Sequence, residues 1–262
     1  NIYRNNNLIP NLNSREEINK LNKIKSNIKV GIHVDTGINR LGINYKELEK
    51  INFSKLNIKI LLSHLSSADE TKNKYNIKQN TNFKKIEKYF KNIKYKSLAN
   101  SSGIILGKKF HYDITRPGIS LYGGYSNNKL KKIIKPVIKL KACVLQIKDI
   151  KKNEFIGYNQ TYKSKKNIKT AVLGIGYGDG ISRILSNKGY VFYKQMKFPI
   201  IGRISMDTLT IDITKYKKFI KKGIYMDIIN YNYDIEKIAK KTGTISNEIL
   251  TSITNRVIRV YK

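Results

Sequence analysis

The stretch "HYDITRPGISLYGG", His111 to Gly124, decides how this sequence is read. Its first part, Tyr112–Thr115, has the apolar and β-branched character of a buried strand, and Arg116-Pro117-Gly118 then turns the chain. Proline fixes one backbone angle and glycine frees another, so the strand ends there. An arginine at that point faces the end of an apolar core and calls for an anion or a ring nitrogen as partner. In parallel α/β architectures the C-terminal ends of strands carry the chemistry, so upstream strands are expected to end in polar residues too.

They do. "GIHV" is followed by Asp35-Thr36-Gly37 and Arg40; "KILLS" by His64, Ser66, Ser67 and Asp69; "KSLA" by Asn100, Ser101 and Ser102. Strands are expected at Leu8–Leu12, Lys29–Val34, Lys59–Leu62, Lys96–Ala99 and Tyr112–Thr115, a βαβ rhythm. Between them lie helical patterns: Ser14–Ile24, where Ser14 and Glu17 make a capping box, and "QNTNFKKIEKYFKNI". From about Lys135 the rhythm changes. "KTAVLGIGYGDG", "GYVFYKQMKFPIIGRISMDTLTIDIT" and "NRVIRVYK" are Val, Ile and Tyr-rich runs broken by Gly and Asn, the pattern of antiparallel strands. The boundary is placed near Asn128–Lys135, giving domains 1–131 and 132–262, and no repeat of fixed period is found.

Composition sets the outer limits. With 262 residues, 40% of them hydrophobic, and 17 glycines, the chain can bury a core in each of two modest domains. Cys143 is the single cysteine, which excludes an internal disulfide and a thiol metal cluster and reads as cytosolic. No apolar run approaches the roughly 20 residues a bilayer requires, and no signal-peptide pattern opens the sequence. It begins with Asn1 rather than methionine, so an N-terminal piece is expected to be absent. The net charge of +34 invites a nucleic-acid reading. Lysine, however, is spread over nearly every segment together with Asn and Ile, as an AT-rich genome favours, rather than gathered on one face among aromatics. No dedicated nucleic-acid site is expected, only salt-sensitive stickiness.

Each candidate residue has a bland alternative. Arg40 can be a surface cation after a turn. His64 can be a core histidine, since no second histidine stands at ligand spacing, and His33 and His111 are read as structural. Asn100 or Ser101 can simply cap a helix, although hydroxyls and free N–H groups at a helix start also bind phosphate. Tyr177, between the glycines of "GIGYGDG", is either a packed aromatic or a phenol left bare.

Taken in order, "VDTGINRLGI", "SHLSSADE", "LANSSG", "DITRPGISLYGG", "VLGIGYGDGISR" and "IIGRISMDTLTIDIT", with "NRVIRVYK" at the end, resemble alanine racemase. The resemblance implies part of a (β/α)8 TIM-type barrel followed by a C-terminal antiparallel β domain. It implies pyridoxal 5'-phosphate as cofactor, no metal, and a homodimer whose active sites are shared across the interface. Arg116 resembles the arginine that donates to the pyridine nitrogen; a guanidinium keeps its proton and so limits the ring as an electron sink. Asn100 and Ser101, with the N–H groups of Gly118 and Ile119, resemble the phosphate cradle. Arg40 resembles the arginine at the phenolate oxygen and substrate carboxylate. Tyr177 resembles the base supplied by the partner to one face of Cα, with His64 tuning it, and Met206 the residue whose amide meets the substrate carboxylate; Asp207 beside it is read as structural.

Four departures stand against the family pattern. His33 replaces a lysine that braces the equivalent of Arg40. Ser97 replaces a histidine, which is expected to loosen the support of Arg116, and Asn255 replaces a phosphate-binding tyrosine. No stretch matches the early lysine-alanine-asparagine-alanine-tyrosine-glycine motif that presents the Schiff-base lysine, and neither Lys108 nor Lys109 sits at a matching strand end. About five barrel strands are read where closure needs eight. The expectation is therefore a racemase of L- and D-alanine, serving cell-wall peptidoglycan precursors, that lacks its amino-terminal segment and is inactive as this chain alone. The alternatives are a racemase of another amino acid such as serine, or a non-catalytic remnant acting as a basic binding module. Decarboxylases sharing the fold are disfavoured, because no glycine triplet is followed by Glu-Pro-Gly-Arg.

Overall fold

The computed structural model describes residues 2–24, 27–90 and 93–261, and they divide into two compact units. The first comprises 1–121 with 126–133, the second 122–125 with 134–262.

In the first unit α1 (Ile2–Asn5) precedes β1 (Asn11–Leu12) and α2 (Arg15–Ile24). The Ser14 hydroxyl accepts from the Glu17 amide at 3.1 Å, and the Glu17 carboxylate accepts from Asn13 N at 2.6 Å, so the expected capping box forms one residue wider on its return arm. Next come β2 (Lys29–Asp35), β3 (Ile43–Asn44), β4 (Asn57–Leu62), α3 (Lys74–Glu87), β5 (Tyr95–Ser97) and α4 (Ser101–Ile104). Among the described residues the strands pair in parallel in the order β1-β2-β4-β5, with β3 beside β2. Val30, Ile32, Val34 and Leu61 are wholly buried. Consecutive buried residues along β2 are what a strand covered on both faces requires.

Helix α3 departs from a simple apolar stripe. Its buried side begins with Asn76, Gln79 and Asn80 and becomes apolar only at Phe83 and Ile86. The apolar end packs under the sheet, in one core with Leu61 and Leu98. The polar end ties down strand-end loops: Asn76 donates to Ser67 O (3.0 Å) and Glu70 O (3.1 Å), and Asn82 donates to Thr36 O (3.0 Å). A buried amide must find partners, so this half of the helix fixes backbone that would otherwise be free loop.

Two expected strands are absent among the described residues. Tyr112–Thr115 is irregular: Tyr112 has φ +53°, and the amides of Asp113 and Ile114 both reach Lys96 O at 3.1 Å, so no ladder can propagate. Only an isolated parallel bridge between Asn100 and Arg116 marks the expected sheet edge. Of the "NRVIRVYK" tail, residues 255–261 pair with no strand among the described residues, and Ile258 and Val260 are exposed; its last residue lies outside the described residues. The expected Leu8–Leu12 strand is reduced to its last two residues.

The second unit is antiparallel, as the change of rhythm predicts. After α5 (Asn128–Ile133), which belongs to the first unit, come β6 (Leu140–Ile150), β7 (Phe155–Ile156), β8 (Tyr162–Lys163), β9 (Ile168–Leu173), β10 (Tyr190–Tyr193), β11 (Met196–Pro199), β12 (Leu209–Asp212), β13 (Tyr225–Ile229), α6 (Ile235–Thr242) and α7 (Ser246–Ser252). The main sheet runs β11-β10-β13-β6-β9-β12, with β7 and β8 as a separate pair. The long β6 sits between β13 and β9 and buries Leu140, Ala142 and Val144, every second residue, on one face. Leu173, Phe198, Ile204 and Ile211 complete that core.

Candidate active site

The first unit gathers most of the sequence-predicted residues at the C-terminal ends of its strands. Arg116 leaves the bridge to Asn100 with its own amide bonded to Ala99 O at 2.9 Å, so its backbone is fixed before its side chain begins. Its guanidinium fork is then held on two sides. Nη1 donates to Ser97 Oγ, and Nη2 donates to Ser63 O at 2.5 Å. Ser97 in turn donates to Ile114 O at 2.6 Å, which leaves its lone pairs for the arginine. Ser97, in the place of the family's histidine, thus bonds Arg116 directly through its hydroxyl. Burial draws the guanidinium pKa below its ordinary value, yet a group that starts so high stays charged at neutral pH.

His64 stands against the same cation. Arg116 Nη2 lies 3.5 Å from its Nδ1, and Asn100 Nδ2 lies 3.3 Å from its Nε2. Both neighbours are donors, so neither contact rewards a protonated ring. Burial first, then the charges of Arg116 and Arg40 and the nearby His33, push its pKa down to about 4. The ring is neutral at pH 7. Gln79, wholly buried, clamps the turn that carries it by donating to His64 O at 3.0 Å and accepting from Ser66 N at 2.9 Å.

Near this cation the turn after Arg116 is tied to the start of α4 by polar contacts. Asn100 caps α4, accepting from Gly103 N at 2.9 Å, which is the structural alternative for that residue. The buried Ser101 Oγ accepts from Gly118 N at 2.8 Å and Ser120 N at 3.4 Å. A methyl group at Gly118 would meet no atom within 4 Å, and Ser120 Oγ is buried with no partner among the described residues. Open space, an orphaned hydroxyl and amides at a turn are what a phosphate group fills. Ile119 follows Gly118 in the same turn, the start of a short 3-10 helix.

Arg40 is exposed on the loop after β2, where Asp35 shapes the turn by accepting from Gly37 N (2.7 Å) and Arg40 N (3.1 Å). Among the described residues its side chain makes no ion pair. His33 is buried and contacts Asn13 Oδ1 at 3.0 Å; burial, then Arg116, lowers its pKa against the pull of Asp35. His111 contacts Ile104 O at 2.6 Å, a structural role as expected. Lys108 and Lys109 occupy an exposed turn after α4.

The second unit holds Tyr177 and Met206 side by side. Tyr177 N donates to Ser205 O at 3.0 Å and Gly178 N to Met206 O at 2.9 Å, so the two loops are zipped by backbone. Gly176 allows this approach, because a Cβ there would collide with the carbonyls of Ser205 and Met206. Both side chains remain outside: Tyr177 is 48% and Met206 53% exposed. The phenol is bare rather than packed. Asn255 is exposed, with Oδ1 accepting from Arg259 at 3.1 Å.

Family models for the alanine racemase N-terminal domain and C-terminal domain match residues 1–126 and 137–261. An alanine racemase of Rickettsia bellii is 42% identical over 97% of this chain, which spans 65% of that relative's length. One of Rickettsia canadensis is 39% identical, and the chain spans 73% of it. The chain belongs to the alanine racemase family. A solved alanine racemase of Bartonella henselae with covalently bound pyridoxal phosphate superposes with a TM-score of 0.93 at 37% identity, covering all of this chain and 75% of that one. Another, from Bacillus anthracis with bound L-Ala-P, gives 0.86 at 27% identity over 98% of this chain and 71% of that one.

The sequence reading named Arg116, His64 and Ser101 but not Ser63, whose carbonyl accepts from Arg116, Gln79, which clamps the His64 turn, or Asn82, which donates to Thr36 O. The signal was present in amides recurring at helical spacing where α3 turns inward, although nothing local says which loop each amide reaches. No helix among the described residues is long and apolar enough to cross a membrane.

Proposed function

We propose that the protein carrying this chain interconverts L- and D-alanine with pyridoxal 5'-phosphate, acts as a homodimer in the cytoplasm, and supplies D-alanine for peptidoglycan precursors. The observation that carries this reading is Arg116, a cation fixed at a strand end by Ser97 and Ser63, next to a turn where Ser101 accepts from Gly118 N and the Ser120 hydroxyl has no partner among the described residues. The residues present fit both ends of the cofactor. Ser101 with the Gly118 and Ile119 turn would hold its phosphate, assisted by Asn100 as cap of α4, and Arg116 would donate to its ring nitrogen.

The cofactor supplies, when bound, a conjugated ring that shares the electron pair left at Cα when a proton departs. Most of the other tasks fall to residues of this chain. Arg116 limits how fully that pair is drawn into the ring, because its fork presents a donor that does not surrender its proton. Arg40, free of any ion pair among the described residues, has its charge available for the substrate carboxylate. The Met206 amide offers a second, neutral donor to that carboxylate. Tyr177 moves the proton on one face of Cα. His64, neutral and set against Arg116, is the residue that tunes this phenol in our reading. In this reading Tyr177 and Met206 are offered to a second copy of the chain, as the resemblance to the family implies. The opposite face needs the lysine of the early family motif, which no stretch of this sequence matches.

The test is chiral chromatography of alanine after incubating the whole encoded protein with pyridoxal phosphate and L-alanine, with L-serine in parallel. D-alanine formation faster than D-serine formation supports the reading. Preference for serine favours the rival racemase, and no turnover of either favours a non-catalytic module. For the 262-residue chain alone, borohydride reduction is expected to label no single lysine and D-alanine is not expected to form; labelling of one lysine together with turnover would show that the chain carries its own anchor.

A further inference from the structure

Beneath the Tyr177 loop runs the segment Ser252–Arg256, and every second residue of it faces that loop. Ser252 Oγ donates to Gly180 O at 3.1 Å; Thr254 Oγ1 donates to Gly178 O at 3.0 Å and its amide to Asp179 O at 3.3 Å; Arg256 Nε pairs with Asp179 at 3.2 Å. The segment runs from the last residue of α7 through Thr254 into a turn at Arg256, so the three side chains are brought to the loop by a helix end and a turn rather than by a strand. Arg256 goes further, because its Nη2 also pairs with Asp207 at 2.5 Å. Asp179 lies on the Tyr177 loop and accepts the Gly176 amide at 2.8 Å, whereas Asp207 follows Met206 directly. One guanidinium therefore joins the two loops through two carboxylates.

A lone exposed ion pair contributes little to stability. Here the geometry is different in kind. Asp179 is buried, both carboxylates are reached by one planar fork, and that fork spans the junction from which Tyr177 and Met206 emerge. We propose that Arg256 is a positioning residue that locks the Tyr177 and Met206 loops in one arrangement, so that base and carboxylate donor move as a unit. This deepens, and rests on, the racemase reading for its kinetic consequence, while the lock itself is a property of the loops alone.

Backbone amide hydrogen exchange tests the lock without turnover. In Arg256→Ala the amides of Tyr177 and Gly178 are expected to exchange roughly tenfold faster or more, with those of β9 unchanged, and Arg256→Lys is expected to fall between, because an ammonium cannot serve both carboxylates in plane. Unchanged exchange at Tyr177 and Gly178 would overturn the proposal, as would equal acceleration throughout β9, which signals general loosening. In the whole protein Arg256→Ala should slow solvent-deuterium uptake into the same alanine enantiomer that Tyr177→Phe affects, leave pyridoxal phosphate affinity unchanged, and be partly restored by Arg256→Lys. Slowing confined to the enantiomer that Tyr177→Phe spares would also contradict it. If the parent protein does not turn over alanine, the racemase reading fails, and the exchange result still decides the lock.

Discussion

Arg116 lies half-buried with its fork on Ser97 and Ser63, and every partner it has is itself held by something else; Tyr177 stands half-exposed, and only its backbone is bonded. The first region is a network of buried polar groups in which each donor needs its acceptor. The second is a bare tip on a braced stem. Function and stability should therefore be coupled around Arg116 and separable around Tyr177.

Substitutions can break or sharpen that contrast. The largest effect is expected for Arg116→Met, which should lower racemisation by about 10²–10³-fold, the usual cost of losing one preorganised donor. It should also destabilise the fold by about 1–3 kcal/mol, because Ser63 O is left buried without its partner. Racemisation assays and urea titration together check both losses; a loss of rate with stability intact would break the coupling. Gly176→Ala is expected to cost about 1–3 kcal/mol by overpacking, since its Cβ meets two carbonyls, and to release Tyr177 and Met206 together. An unaltered urea midpoint would mean that the loops are not tightly zipped.

An effect on stability is also expected from pH. The unfolded His64 takes a proton near its ordinary 6.5, whereas the folded ring resists until about 4. Between those values the unfolded chain binds more protons, so stability falls as pH drops from 6.5 towards 4. His33, lowered in the same direction, adds to the slope. Thermal melts across that range should show the decline, and His64→Gln should flatten part of it. The smallest stability effect belongs to Gly118→Ala, where added carbon meets nothing and the backbone is unstrained. Melting should be unchanged while pyridoxal phosphate titration weakens; tight binding in this variant would remove the Gly118 turn from the phosphate site.

The two regions were also unequally legible in the sequence. Arg116, Ser101 and the strand-end loops could be read because turn residues and polar side chains follow short apolar runs, a local signal. Tyr177 was legible from its flanking glycines. The strand expected at Tyr112–Thr115 was not realised, because a positive φ at Tyr112 and the shared acceptor Lys96 O are decided by tertiary contact. The apolar alternation of "NRVIRVYK" misled in the same manner: the residues that matter just before and within it are Thr254 and Arg256, which face a loop rather than a strand. Gln79 and Asn82 lie on a helix whose pattern was read as apolar, and their partners are His64, Ser66 and Thr36 in other segments.

The central claim is that Tyr177 serves one face of the substrate and the Arg116 network serves both. Its most direct measurement is uptake of solvent deuterium at Cα, followed by NMR for L-alanine and D-alanine separately, in the whole protein with pyridoxal phosphate and in its Tyr177→Phe variant. The account predicts that the parent labels both enantiomers, and that the variant loses uptake into one by about 10²–10⁴-fold while retaining the other and its full melting temperature. Equal uptake into both enantiomers by the variant, or equal loss from both, would contradict it.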